Sequence, residues 1–365
     1  MPVRDIVVVG FSAGGIEPLL RLVEALPADF PGAVFVVHHF PPQSVSALPN
    51  ILQRASALDV VQAVDGDAIV PGRICVARPD QHLVLTGGLV RCTNGPREQG
   101  HRPAIDPLFR SAARTFGPRV VGVILSGTLD DGTVGLIEIK ARGGLALVQE
   151  PEEAAYPGMV MSALRNVAVD HVAPARALAA ILDRVAREGD PEPDPLSSDL
   201  RGDFTAGSGD APESSMAGTA ALRNPAALGV PSPMACPECG GVLFEREQDG
   251  FLHFRCHVGH AFSEEALFAS QSRAVEGALW SAVRSLEEKA ELSRRLAEQA
   301  GHRGLRRAVT QFEGTAREAE HGSNILRQTL LKSQVREPLE TEAEPQDAEA
   351  QDKNVAALAR GPESR

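Results

Sequence analysis

Ile6-Val7-Val8-Val9-Gly10-Phe11-Ser12-Ala13-Gly14-Gly15-Ile16 is the stretch that decides the fold. A short apolar run rich in valine ends in a glycine-rich turn, and a helix-like stretch at residues 16–26 follows directly. Continuous apolar runs of this length suit strands of a parallel sheet buried on both faces. The same signature recurs at residues 33–37, 120–125 and 145–148, with helix-like stretches at 105–116, 133–142 and 175–187 between and after them. Strands alternating with helices predict an α/β domain over residues 1–188, a doubly wound, mostly parallel, Rossmann-like sheet with helices on both sides. Residues 60–92 break the rhythm: brief apolar runs are punctuated by Asp65-Gly66, Pro71-Gly72 and Gly87-Gly88. They predict an antiparallel hairpin inserted near the sheet edge.

Beyond this domain the composition changes. Residues 189–233 are rich in Pro, Gly, Ser, Asp and Ala and read as a flexible linker, because so little apolar surface cannot offset the entropy of ordering. Residues 234–262 hold Cys236-Pro237-Glu238-Cys239 and, after a gap of sixteen residues, Cys256-His257-Val258-Gly259-His260. Three thiolates and one imidazole make a closed tetrahedral site for structural zinc, with Cys236, Cys239, Cys256 and His260 as ligands and His257 as the competitor for the fourth place. A zinc-ribbon-like module of about thirty residues could hardly fold on its apolar core alone, which is a second reason to expect a metal. Residues 263–333 read as helix, with Leu279, Val283, Leu286, Ala290 and Leu296 near one face and Gly301 and Gly304 breaking the rod in two. Such a pair suits an antiparallel hairpin or a dimer seam. Residues 334–365 are acidic and polar and are expected to be disordered.

The bulk numbers exclude several classes. With 365 residues the chain has room for two or three domains. A formal charge of −12 is the wrong sign for a general nucleic-acid binder. The apolar runs are too short to cross a bilayer core of about 30 Å. Five cysteines and no signal-like start lead to the expectation of a cytoplasmic, reduced protein with no membrane insertion.

A serine at a tight strand-to-helix turn is lifted above the sheet edge, and the N–H groups of the turn can hold the oxyanion of an attacked carbonyl. The same glycines could instead cradle a dinucleotide pyrophosphate, but Ser12 occupies the place of the second fingerprint glycine. Moreover, the second strand ends in His38-His39 rather than in an acid that would hold a ribose. A histidine there can act as general base to Ser12, and only one of the two can face it, since strand side chains alternate. Ser126-Gly127-Thr128-Leu129-Asp130-Asp131-Gly132 brings a third strand-to-helix turn to the same edge. One of its carboxylates could orient the imidazole, or merely cap the following helix. The order Ser, His, Asp differs from that of the α/β-hydrolases.

Several further motifs keep this order: Val36-Val37-His38-His39-Phe40-Pro41, Ala77-Arg78-Pro79-Asp80-Gln81-His82, Arg102-Pro103-Ala104-Ile105-Asp106-Pro107-Leu108-Phe109 and Tyr156-Pro157-Gly158-Met159. With the elbow and the aspartate turn, they make residues 6–181 resemble the catalytic domain of the CheB family, the protein-glutamate methylesterases of bacterial chemotaxis. The resemblance implies Ser12 as nucleophile, His39 as base and Asp131 as orienting carboxylate, with no cofactor for catalysis. It further implies hydrolysis of glutamate methyl esters on chemoreceptor-like helices with release of methanol, and deamidation of glutamine as a second activity. Two positions depart from the family pattern, Ala13 for its threonine and Thr128 for its methionine, so substrate preference is open there. No receiver domain precedes the first catalytic strand in this sequence, so control by an attached phosphoacceptor is not expected. The rival expectation is a catalytically weak adaptor that binds receptors or a methyltransferase through its C-terminal region.

Overall fold

In the computed structural model, residues 3–39, 46–188, 229–248 and 251–334 are described. The expected disordered tail and nearly all of the expected linker lie outside them. Up to Leu267 these residues form one compact unit, and from Phe268 onward a second.

The first unit is built on seven strands: β1 (Ile6–Phe11), β2 (Ala33–His38), β3 (Asp59–Gln62), β4 (Arg73–Val76), β7 (Val120–Ile124), β8 (Leu145–Gln149) and β9 (His171–Ala173). They lie in the order β3-β4-β2-β1-β7-β8-β9, every neighbouring pair parallel. All six residues of β1 are buried, which is why its sequence is apolar without alternation. Its side chains divide between two cores. Val7, Val9 and Phe11 pack with α1 (Ile16–Ala25), α2 (Leu48–Ala55) and α6 (Ala175–Glu188). Ile6 and Val8 pack on the other face with α3 (Ile105–Phe116), α4 (Thr133–Ala141) and α5 (Gly158–Asn166). The chain leaves β1 to one side for β2 and returns to its other side at β7, so the loops after β1 and β7 part at a topological switch point. Open α/β sheets bind ligands at such a place.

The antiparallel insertion is narrower than residues 60–92. Its first part supplies β3 and β4 to the parallel sheet, and only β5 (His82–Thr86) and β6 (Leu89–Thr93) form a separate two-stranded hairpin. Turn signals alone do not reveal whether flanking strands pair with each other or with the main sheet. Gly87 and Gly88 both adopt positive φ, +58° and +80°, as a two-residue hairpin turn requires.

A four-stranded antiparallel sheet completes the first unit: β10 (Val230–Ala235), β11 (Val242–Gln248), β12 (Phe251–Cys256) and β13 (Ala261–Ser263). β10 starts inside the stretch read as linker, with Val230 opposite Glu245 and Pro231 opposite Phe244. It is the edge strand, where proline does little harm, so a proline-rich composition hid it. The second unit holds most of α7 (Glu264–His302) and all of α8 (Arg306–Gln334). Ion pairs Glu287–Arg327 and Arg294–Glu320 fix an antiparallel hairpin, closed at Gly304 with φ of +72°. Val283, Ala290 and Ala297 on α7 and Ala316, Ala319 and Leu330 on α8 are buried there.

Candidate active site

Ser12 follows β1 directly and is half-buried at the switch point. Its N–H donates to the carbonyl of Ser126 at 3.0 Å, tying the elbow to the loop after β7. Gly14 takes φ of +68°, and a Cβ there would stand 2.8 Å from Ala155, so the elbow needs glycine for both conformation and space. Gly127 is equally constrained, since a Cβ would meet the Met159 sulfur at 2.0 Å and the Ser12 Cβ at 3.0 Å. Among the described residues the N–H groups of Ala13 and Gly14 donate no hydrogen bond, so both remain available just ahead of α1.

His39 stands one residue beyond β2, its side chain 9% exposed. Its Nδ1 lies 3.0 Å from Ser12 Oγ and its Nε2 lies 2.7 Å from Asp131 Oδ2. An ionised carboxylate only accepts, so Nε2 carries the hydrogen and Nδ1 presents its lone pair to the serine hydroxyl. Asp131 is 3% exposed and caps α3 with both oxygens: Oδ2 accepts from Ile105 N–H at 2.8 Å, and Oδ1 from Asp106 N–H at 3.1 Å. A helix N-terminus favours negative charge. The same bonds fix the carboxylate plane before any substrate arrives.

The neighbours of these two residues point elsewhere. His38 turns to the opposite face of the sheet and stacks on Phe11 with centroids 4.5 Å apart. Burial, with His39 beside it, pushes its imidazole down to about 3, so it stays neutral. Asp130 is buried and accepts from the Ser263 hydroxyl at 2.8 Å; burial pushes its carboxyl up to about 7. Asp106 is also buried, accepting from Gly135 N–H at 2.7 Å, and burial with the charge of Asp131 pushes its carboxyl up.

Three residues near the site carried no sequence signal of a part in it. His101 stacks on His39 with centroids 3.8 Å apart and planes 5° from parallel. Gln99 accepts from Ser263 N–H through Oε1 at 2.8 Å and donates from Nε2 to Asp106 Oδ2 at 3.3 Å. Ser263 reads locally as a helix cap, and it does accept from Ala266 N–H at 3.1 Å. Only its place directly before the Arg102-Pro103 motif could have drawn attention to His101.

The cysteine and histidine cluster lies in the turns of the small sheet. The ligand atoms of Cys236, Cys239, Cys256 and His260 all fall within 4.8 Å of one another, a group that could hold a metal ion. Cys236 Sγ and Cys256 Sγ each lie 3.6 Å from His260 Nδ1, and Cys239 Sγ lies 3.7 Å from Cys256 Sγ. His257 is outside this group, its ring against Gly241. Burial pushes the Cys236 thiol up to about 12, so its ionised form needs a compensating cation.

The first half of the chain is similar to known proteins. Residues 7–182 match the family described as CheB methylesterase. A protein-glutamate methylesterase/protein-glutamine glutaminase of Anaeromyxobacter dehalogenans is 41% identical over 186 residues, 50% of this chain and 51% of that protein. One from Methanosarcina mazei is 34% identical over 194 residues, 51% of each. The chain thus spans about half the length of the curated relatives it matches. A crystal structure of the Thermotoga maritima CheB methylesterase catalytic domain is similar at 32% identity and a TM-score of 0.48, covering 50% of this chain and 98% of that one.

Proposed function

Since residues 7–182 belong to the CheB methylesterase family, we propose that this protein hydrolyses glutamate methyl esters on chemoreceptor-like helices through Ser12, His39 and Asp131. The observation that carries the reading is the continuous relay from Ser12 Oγ through His39 to Asp131, with contacts of 3.0 and 2.7 Å. His39 Nδ1 takes the hydroxyl proton as Ser12 Oγ attacks the ester carbonyl. The free N–H groups of Ala13 and Gly14 hold the oxygen that becomes negative. Asp131 stabilises the imidazolium, which then gives its proton to the departing methoxide, so methanol leaves. Water, deprotonated by the same nitrogen, cleaves the acyl-enzyme and returns a glutamate carboxylate.

The relay has the opposite ring orientation to that of trypsin-like proteases, where Nε2 faces the serine. Either nitrogen serves, because the carboxylate dictates which one keeps the proton. An amide leaves by the same steps as ammonia, so glutamine deamidation is included in the proposal. The chemistry requires no cofactor. A cytoplasmic site of action belongs to the same proposal, since cysteines kept as thiols suit a reducing compartment.

The four-ligand cluster is proposed as a structural zinc site held by Cys236, Cys239, Cys256 and His260. With Zn–S near 2.3 Å and Zn–N near 2.0–2.1 Å, a tetrahedral site has ligand–ligand edges of roughly 3.5–3.8 Å. The distances of 3.6 and 3.7 Å fit that cage. A closed set of four protein ligands leaves no place for substrate, so its role is structural.

The test is to incubate the full chain with methylated receptor fragments and follow each peptide by mass spectrometry. Loss of one methylene from methylated glutamates supports the esterase, and conversion of glutamine to glutamate adds the amidase. Unchanged peptides from a broad panel of receptors would overturn it and turn attention to the adaptor reading.

A further inference from the structure

The small sheet does more than lie beside the esterase segment. Within the first unit, the backbone of residues 97–99 runs along β13: Ala261 N–H donates to the Arg97 carbonyl at 3.3 Å, and Gln99 N–H donates to the Ala261 carbonyl at 2.8 Å. Glu98 receives one Arg110 nitrogen on both its oxygens at 2.8 Å and lies 3.9 Å from Arg255 of β12. Burial works against its charge, yet the two guanidinium groups hold the carboxyl down at about 2.

From this seam two buried side chains reach toward the catalytic residues. Ser263 gives its hydroxyl to Asp130, the residue before Asp131. Gln99 spans from Ser263 N–H to Asp106, whose own N–H holds Asp131 Oδ1. His101, two residues further on, lies flat against the His39 ring. Every polar group in this chain except His101 is at least nine-tenths buried, so water cannot replace a lost partner. The segment that carries Ser263 starts at the proposed metal ligand His260, whose carbonyl accepts from Cys256 N–H at 3.0 Å. A metal that closes the Cys256–His260 turn therefore also sets where Ser263 stands.

We propose that Gln99 and Ser263 are positioning residues of the esterase, and that metal binding at Cys236, Cys239, Cys256 and His260 sets its catalytic geometry through them. The inference rests on the esterase and zinc readings above. Without metal the turn loosens, Ser263 withdraws, and the Asp130 carboxyl loses a buried donor, which is costly to leave unmade. The loop carrying Asp130 and Asp131 and the loop carrying His101 then relax together. Displacements of about 1 Å in such a constellation can cost on the order of 10²-fold in rate.

The test reads Ser12 directly, without a receptor substrate. Full-length protein is treated with a fluorophosphonate reagent, and phosphonylation of Ser12 is followed by intact mass over a range of reagent concentrations. Wild type, Ser263→Ala, Ser263→Thr, Gln99→Met and His39→Ala are compared as zinc-loaded proteins. Wild type is also stripped by chelator and then reloaded with zinc. Metal content and melting temperature are recorded for each, so that only folded variants are scored. The expected result is a maximal rate at least about tenfold lower in Ser263→Ala and Gln99→Met, as supporting-shell changes typically give. The half-saturating reagent concentration should hold, and Ser263→Thr, which keeps the hydroxyl, should recover the rate. Stripping zinc reproduces the loss and reloading reverses it. A residue that merely joined the two sheets would move the melting temperature and leave the rate alone. Rates within about twofold of wild type in both variants, or in stripped protein, would overturn the inference while leaving the esterase reading intact. Wild-type Ser12 reacting no faster than in His39→Ala would instead remove the esterase reading and this inference with it. If Ser263→Ala does not fold, Gln99→Met and the stripped protein decide.

Discussion

Asp131 shows how much one carboxylate can do. It accepts from His39 and from two N–H groups at the start of α3, so its charge, its plane and the imidazole tautomer are fixed together. Asp131→Asn offers a nitrogen where His39 needs an acceptor and favours the wrong tautomer. Turnover of a methyl ester should fall by a factor on the order of 10³–10⁴ with the fold retained. Steady-state kinetics beside a melting curve checks this. His38 makes a different prediction. Its folded value of about 3 lies below the ordinary 6.5, so the unfolded chain binds its proton first as pH falls. Stability is therefore lost below about pH 6.5 at up to about 1.4 kcal/mol per pH unit. Asp130 acts in the opposite sense, since a carboxyl raised to about 7 costs stability as pH rises from 3.8 toward 7. His38→Asn should flatten the acid side of a plot of unfolding free energy against pH, and an unchanged slope would refute the assignment. Ser12, the histidine pair and the aspartate pair were legible because each sits at the end of a recognisable strand. Strand alternation settles which histidine faces the serine, and it needs the register that only the structure supplies.

At the scale of elements, the loops after β1, β2 and β7 act as one device because their strands are neighbours. The apolar runs announced all three strands, and the glycines announced the turns. Gly14 carries the sharpest demand. Gly14→Ala places a side chain at φ of +68° and a Cβ 2.8 Å from Ala155. The backbone alone should cost about 1–2 kcal/mol, and the displaced elbow should slow Ser12 chemistry as well. A fall in melting temperature together with a slower reaction at Ser12 is the expected outcome. Pairing across long separations was not legible in the same way. Residues 60–76 read as part of the 60–92 hairpin because brief strands and turns look alike whichever partner they meet, yet they pair in the parallel sheet. The roles of Gln99 and Ser263 were hidden for the same reason: their bond joins positions 164 residues apart, and nothing in either neighbourhood names the other.

For the whole molecule, the cysteine and histidine spacing was legible, and His260 rather than His257 stands with the three thiols. Protein purified without chelator should carry one zinc per chain, and Cys256→Ser should lose it and melt at lower temperature. Metal analysis beside calorimetry reads both. The helical unit is held by its own small apolar seam, in which Leu330 is 1% exposed. Leu330→Ala should destabilise that unit by about 2–5 kcal/mol. Because it lies far along the chain from the triad and in the other compact unit, the reaction at Ser12 should be unaffected. Two helices were foreseen from Gly301 and Gly304, but only Gly304 marks the turn, since Gly301 lies within α7, which runs to His302. Their antiparallel pairing came from ion pairs that no single-helix pattern contains.

The most direct test of the central claim is methanol release from one methylated receptor fragment by wild type and by Ser12→Ala, at equal concentration and with matched melting temperatures. The account predicts steady release by the wild type and none above the uncatalysed rate by the variant. Equal release by the two proteins would contradict it, because the ester would then be cleaved without the serine on which the whole arrangement converges.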